Sequence, residues 1–213
     1  MQKSESFLLS ALLSLSGGFQ DAYTYNVRGK VFANAQTGNV VLMSQNFMCG
    51  QWLAGLRYLC PIACFSLGVF VTERLEWKYK NCAKLHWRQI VLLIEMIVLA
   101  IVGLLPARLN MLSNMLVSFS CAMQVQSFRK VHGYGYASTM CIGNLRSGTE
   151  SLSQYLRSHD HDDLQKSLHL FGIILFFAIG AGMGGIFSAS LGIQTIWISE
   201  TILLTVFIMM GKQ

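Results

Sequence analysis

Six apolar stretches, each 19 or 20 residues long, recur along this chain of 213: Phe7–Tyr25, Trp52–Val71, Trp87–Leu105, Asn110–Phe128, Leu168–Phe187 and Leu191–Met210. A helix needs about 20 apolar residues to cross a hydrocarbon core of about 30 Å, so each stretch is long enough for one crossing. Within that core the backbone must satisfy its own polar groups, which makes each stretch a helix. What remains suffices for short connections and two further helices, with no room for a soluble domain. Composition agrees. The chain is 53% hydrophobic and only 12% charged, with a mean hydropathy of +0.47, whereas a soluble domain carries about 25% charged residues. These values exclude a disordered chain, a coiled coil and a secreted disulfide scaffold.

Net charge is +6, but the basic residues stand mainly between apolar runs, as in loops facing the cytoplasm and anionic lipid, so nucleic acid is not the expected partner. If only the six stretches cross, twelve Lys and Arg fall inside, and Arg28, Lys30, Arg57 and Arg108 fall outside. If eight segments cross, the division is nine inside to five outside. The Glu76–Arg88 loop is cytoplasmic in both arrangements, and six fits better. Trp52, Trp77 and Trp87 lie near segment ends, where indole rings favour the interface. The first stretch has one Lys before it and no A-x-A site, so it reads as retained. Cys60, Cys64, Cys121 and Cys141 fall inside apolar or helical stretches and read as small buried residues.

Two further segments are helical in pattern but polar: Ala33–Met48, with Asn34, Gln36, Thr37 and Asn39, and Ala137–Arg157, with Asn144, Arg146, Thr149 and Glu150. Neither can face lipid along its whole length, so each is re-entrant, interfacial or enclosed by other helices. They occupy corresponding places in two halves that resemble each other at an offset of 104 or 105 residues. Gln20 matches Gln124, Gly38-Asn39 matches Gly143-Asn144, and Glu95 matches Glu200. Across part of the second half the offset is 112, where Gly68 matches Gly180. The expectation is a single all-α polytopic membrane domain of about six spanning helices plus two polar helices. Repeat one runs over about 7–105 and repeat two over about 110–211; eight spanning helices, four per half, is the alternative. Three crossings per half would make the repeats inverted, four would make them parallel.

The few charged residues inside apolar stretches carry the chemistry. Glu95 and Glu200 lie amid leucines and isoleucines, where an ionised carboxylate costs several kcal/mol unless it is paired or lines a wet cavity. Arg57 and His169, near segment entrances, are candidate partners. Asp21 follows the pair Gly17-Gly18, where a broken or closely packed helix lets an acid meet an ion or substrate, or where it simply caps a helix end. Asn34, Gln36, Thr37 and Asn39 crowd amides and a hydroxyl into six residues, suited to lining a polar cavity, and Asn144 is their counterpart. The run His159–Asp163 has the composition of a metal cluster but reads as a solvated loop, with Asp162 and Asp163 placed to favour the next helix's dipole. The glycines of 180–185 read as close helix packing. No nucleophile–base arrangement, phosphate loop or dinucleotide fingerprint occurs, so an enzyme, a cofactor and a metal are not expected.

The residues Gly17-Gly18-x-x-Asp21-Ala22-x-x-Tyr25, followed by Val31-Phe32-Ala33-Asn34-Ala35-Gln36-Thr37-Gly38-Asn39-Val40-Val41-Leu42, resemble the YoaK family of bacterial membrane proteins. The resemblance extends over nearly the whole chain, including Gly143-Asn144-Leu145 and Glu150, with Ile142 where the first half has Thr37. It implies a multi-pass protein of the bacterial inner membrane. From the residues themselves, the leading expectation is a small transporter or channel, as a possible homodimer, for an unidentified solute or ion. Asp21, Glu95 and Glu200 would be its coupling or binding groups. The alternative is a non-transporting membrane module that binds a protein partner or anionic lipid through the basic 76–88 loop.

Overall fold

The computed structural model describes residues 6–80 and 86–211. Among them are eight α-helices: α1 (Phe7–Val27), α2 (Gln36–Met48), α3 (Trp52–Tyr79), α4 (Trp87–Leu104), α5 (Asn110–Ser127), α6 (Cys141–Ser158), α7 (His161–Leu191) and α8 (Ile196–Gly211). A two-residue antiparallel ribbon, Lys130–Val131 with Tyr134–Gly135, is an addition to the all-α expectation. It turns through His132 and Gly133, both at positive φ. Lys3, Lys84 and Lys212, counted in the charge division, lie outside the described residues.

Local chemistry sets several helix ends. The Ser6 hydroxyl accepts from Leu9 N to start α1. Asp160 accepts from Asp162 N to start α7, with Asp162 and Asp163 in the first turn, so this acidic run serves the helix end. No group of three metal-ligating side chains occurs among the described residues. His86 starts α4 with a capping box: its Nδ1 accepts from Arg88 N, and Gln89 Oε1 accepts from His86 N.

Burial, and then Arg88, holds the His86 imidazole below its ordinary value. The cap needs a neutral Nδ1. Its contribution is therefore complete above the unfolded value of about 6.5 and is lost as pH falls through the lower folded value. His86→Ser keeps a cap and removes the titration. The difference in unfolding midpoint between variant and wild type is expected to be constant above neutral pH. On acidification it should shift in the variant's favour by up to about 1 kcal/mol, the worth of one N-cap. A difference that ignores pH would refute the role.

Three stretches are long and apolar enough to cross a membrane: α3, α4 and the run from α7 through α8. α1 and α5 are not apolar enough by composition, although both form helices over nearly the expected residues. The reason is their place. α1 buries Ser10, Ser14, Ser16, Gln20 and Thr24 completely, and α5 does the same with Ser113, Ser118 and Ser120. A helix surrounded by helices hydrogen-bonds its polar side chains to protein, so it can be less apolar than one facing lipid. Trp87 also departs from the interfacial reading. It is 5% exposed and packed with Val91 and Met123, whereas Trp52 and Trp77 are exposed.

Residue pairs give the helix directions. α1 runs parallel to α7: Phe7 lies against His169, Leu15 meets Gly180, and Phe19 and Ala22 meet Gly184. α3 runs parallel to α5, with Ser118 donating to Pro61 O, Phe119 against Gly68, and Gln126 donating to Glu73. α1 and α5 are antiparallel. Asn114 Nδ2 donates to Arg28 O (2.8 Å), the Cys121 thiol to Gln20 Oε1 (2.8 Å), and Gln124 Nε2 to Leu13 O (3.2 Å). α4 and α8 are antiparallel too, since Gly103 abuts Trp197 while Gln89 reaches Gly211. The close packing expected of the glycine run holds for Gly180 and Gly184, whereas Gly182 has open space around it.

Candidate functional site

The chain leaving α1 turns at Gly29 and Lys30, both at positive φ, and doubles back along the helix it has just left. Asn34 N donates to Asp21 Oδ1 (2.7 Å), and Asn34 Nδ2 donates to Gly17 O (3.2 Å). Gly17 lies ten residues before the end of α1, so the return is about 15 Å deep. From the opposite end of α1, the segment after α5 makes the same journey. Gln124 Nε2 donates to Ser138 Oγ (2.9 Å), and the Thr139 methyl stands where a Cβ on Gly17 would be. Two connecting segments therefore meet at the mid-length of α1, where Gly17 accepts from the first through its carbonyl and, lacking a side chain, makes room for the second.

A helix starts at each tip. These starts, at Gln36 and Cys141, come three to four residues later than the hydrophobic pattern implies, because Asp21 and Gln124 bond Asn34 and Ser138, which lie in a bend and a turn before the helices. Asn39 Nδ2 donates to Phe32 O (2.7 Å) and Asn144 Nδ2 to Ala137 O (2.7 Å), closing each tip with the same bond at matched positions. Gln36 Nε2 donates to Ala33 O (2.7 Å) and Ser118 Oγ (2.9 Å), and its Oε1 accepts from Asn39 (3.0 Å). Ser118 in turn lies 2.9 Å from both Ala33 O and Pro61 O, tying α5 and α3 to the first tip. Asn39, Asn144 and Gln36 thus hold the tips in shape. Thr37 and its counterpart Ile142 are exposed, the latter at 83%, so one tip presents a hydroxyl and the other a hydrocarbon.

The acids separate into three environments. Asp21 is 6% exposed and has no ion pair among the described residues; its carboxyl serves the amide of Asn34. It is neither a wet helix end nor a free ligand. Glu95 is completely buried, with Gln20 and Ser120 facing it, but neither closes a hydrogen bond of ordinary geometry on its carboxyl oxygens. Glu200, its match in sequence, is partly exposed on α8, in a strip with Trp197, Thr201 and Leu204. The expected partners do not reach either acid. His169 stacks on His132 (4.6 Å) and lies 5.1 Å from the Phe7 ring, while Arg57 is exposed on α3.

The site has members that motif reading passes over. Gln20 Nε2 donates to Ser16 (3.0 Å) and Ser199 (3.1 Å), whose hydroxyls lie 2.8 Å apart. One signal was available in the sequence: Ser113, Ser120 and Ser127 recur every seven residues, one face of α5 turned inward. Arg28 gave none. It is 1% exposed, and its guanidinium donates to Tyr23 Oη (2.7 Å), Val102 O (2.7 Å), Leu105 O (2.9 Å) and Asn110 Oδ1 (3.2 Å). It clamps the end of α1 to the end of α4, where a cation also meets the negative end of the helix dipole.

The model of a family described as "Protein of unknown function (DUF1275)" matches residues 9–209, all the described helices but their outermost turns. The chain belongs to the DUF1275 family. No curated protein and no solved structure matches this DUF1275 chain. Every side chain of the two tips, and Gly17 where they meet, falls inside the DUF1275 match.

Proposed function

We propose that this DUF1275 chain is a small transporter or channel of the bacterial cytoplasmic membrane, the setting its YoaK-like motif implies, and that it moves a small solute or ion rather than catalysing a reaction. It crosses six times, with both termini and the 76–88 loop inside. α2 and α6 enter from opposite faces, reach mid-depth and return. The observation that carries this reading is the meeting of both tips at Gly17, from opposite ends of α1.

Helix directions support six crossings. Eight would make α1 parallel to α5 and α4 parallel to α8, and both pairs are antiparallel. At 13 residues α2 spans about 20 Å, too short for a hydrocarbon core of about 30 Å. Matched contacts support two inverted repeats: Phe119 against Gly68 and Leu15 against Gly180 are the same pair of positions in the two halves, as are the Asn39 and Asn144 tip bonds. Inverted repeats with broken helices meeting near the midplane are a recurring transporter plan, in which one half rocks against the other around a central site.

The test is whether water reaches the tips. In a cysteine-free background, Ala35→Cys should react with a membrane-impermeant maleimide added from outside. Met140→Cys should react from inside. Both parent residues are exposed. Labelling of neither would mean a dry, closed bundle and would end the transport reading. Labelling of both from one side would end the inverted arrangement.

A further inference from the structure

Glu95 offers two carboxyl oxygens that are completely buried and have no hydrogen-bond partner. Ser120, which faces it from α5, is also completely buried, and its hydroxyl is likewise without a partner. Gln20, from α1, faces the carboxyl too and links it to the hydroxyls of Ser16 on α1 and Ser199 on α8. The Cys121 thiol donates to Gln20 Oε1 and so contributes a hydrogen, not a ligand atom. Four helices thus bring a carboxylate and three hydroxyls together around the Gln20 amide, whose Nε2 donates to Ser16 and Ser199 while its Oε1 accepts from Cys121. No basic side chain is among the groups that face Glu95. The buried guanidinium of Arg28 is engaged elsewhere, by Tyr23 and the α4 carbonyls.

Hard oxygen donors of this kind suit a hard cation. Charge selects among such ions. With one carboxylate, a monovalent ion leaves the cluster neutral, whereas a divalent ion leaves a buried net charge that nothing offsets. A proton would need one acceptor beside Glu95, not oxygens gathered from four helices. We propose that Glu95, Ser120, Ser16 and Ser199 form a binding site for a dehydrated monovalent cation of sodium's size, with Glu95 as the charged ligand and Gln20 holding the Ser16 and Ser199 hydroxyls in place. The cluster lies where α1 meets α5 and α4 meets α8, both of them contacts between the proposed repeats. The bound ion therefore draws both halves together. Its role as a coupling ion rests on the transport reading; its binding does not.

Binding is read without any transported solute. The full chain in detergent is unfolded thermally at fixed pH and ionic strength while choline is replaced by sodium or potassium. The unfolding midpoint should climb with the logarithm of sodium concentration, because a ligand of the folded state stabilises by mass action, and potassium should need at least tenfold higher concentration for the same rise. Glu95→Gln should abolish the sodium response and Ser120→Ala should weaken the apparent affinity about tenfold, while Glu76→Gln leaves it intact. Equal responses to sodium, potassium and choline would overturn the site, as would a sodium response that survives Glu95→Gln. Should Glu95→Gln not fold, radiolabelled sodium binding to the wild type decides. Saturable binding that potassium displaces only at tenfold or higher concentration than sodium sustains the site, and no saturable binding overturns it. Maleimide labelling of the tips stands or falls separately.

Discussion

Gly180→Ala is expected to cost about 3 kcal/mol or more, near the top of the range for overpacking, because what the new methyl meets is backbone. Its Cβ would stand well inside contact distance of the Leu15 carbonyl on α1, and a Cβ on Gly18 would meet the Phe177 carbonyl on α7 in the same way. Neither neighbour is a side chain that can rotate aside. For a chain of this size the loss corresponds to a fall of roughly 6–12 °C in the unfolding midpoint. Gly68→Ala should behave alike, through the Phe119 carbonyl. Gly182→Ala is the control on the same helix, since nothing lies within 4 Å of its Cβ position, and it should be neutral or slightly stabilising. A Gly180→Ala protein with an unchanged midpoint would show that the α1–α7 seam is not closely packed.

Arg28→Ala carries the second large effect. It removes every guanidinium donor from Val102 O, Leu105 O, Asn110 Oδ1 and Tyr23 Oη at the junction of α1, α4 and α5. Hydrogen bonds to charged groups are worth about 1.5–3 kcal/mol, and buried acceptors left bare cost more than the bond itself, so about 3–5 kcal/mol is the expected total. Arg28→Lys should recover only part of it, since one ammonium cannot serve acceptors spread around a planar fork. Lys30→Ala, two residues on, should leave the midpoint unchanged; its ammonium sits over the exposed Tyr25 ring. Thermal unfolding of the three variants side by side is the measurement. Equal midpoints for Arg28→Ala and Lys30→Ala would refute the clamp.

The contrast between these two residues shows what could be read in advance. Gly180 stands in a glycine run inside an apolar stretch, and its match at Gly68 is visible in the sequence, so its packing role was legible there. Arg28 read as an ordinary outer-loop cation, because its partners are mostly backbone carbonyls, which leave no trace in residue identity. The six long helices and the two polar ones follow from length and periodicity, whereas the late starts of α2 and α6 come from bonds that only the folded chain makes. Glu95 and Glu200 match in sequence but not in surroundings: one is sealed among α1, α4 and α5, and the other borders an exposed strip on α8. Residues that match in sequence need not share surroundings.

The parallel pairing of α1 with α7 and of α3 with α5 also sets an order of birth. Each half lends its opening helix to the other, so neither half is complete by itself. When α1 leaves the ribosome its natural cover is some 160 residues from being made. At translation rates of about 5–20 residues per second that is a wait of roughly 8–30 s. Through that interval a helix bearing Ser10, Ser14, Ser16, Gln20 and Asp21 has no α7 to lie against. The chain's first helix is therefore the last to be finished, and its biogenesis depends on whatever shelters a polar helix at the point of insertion.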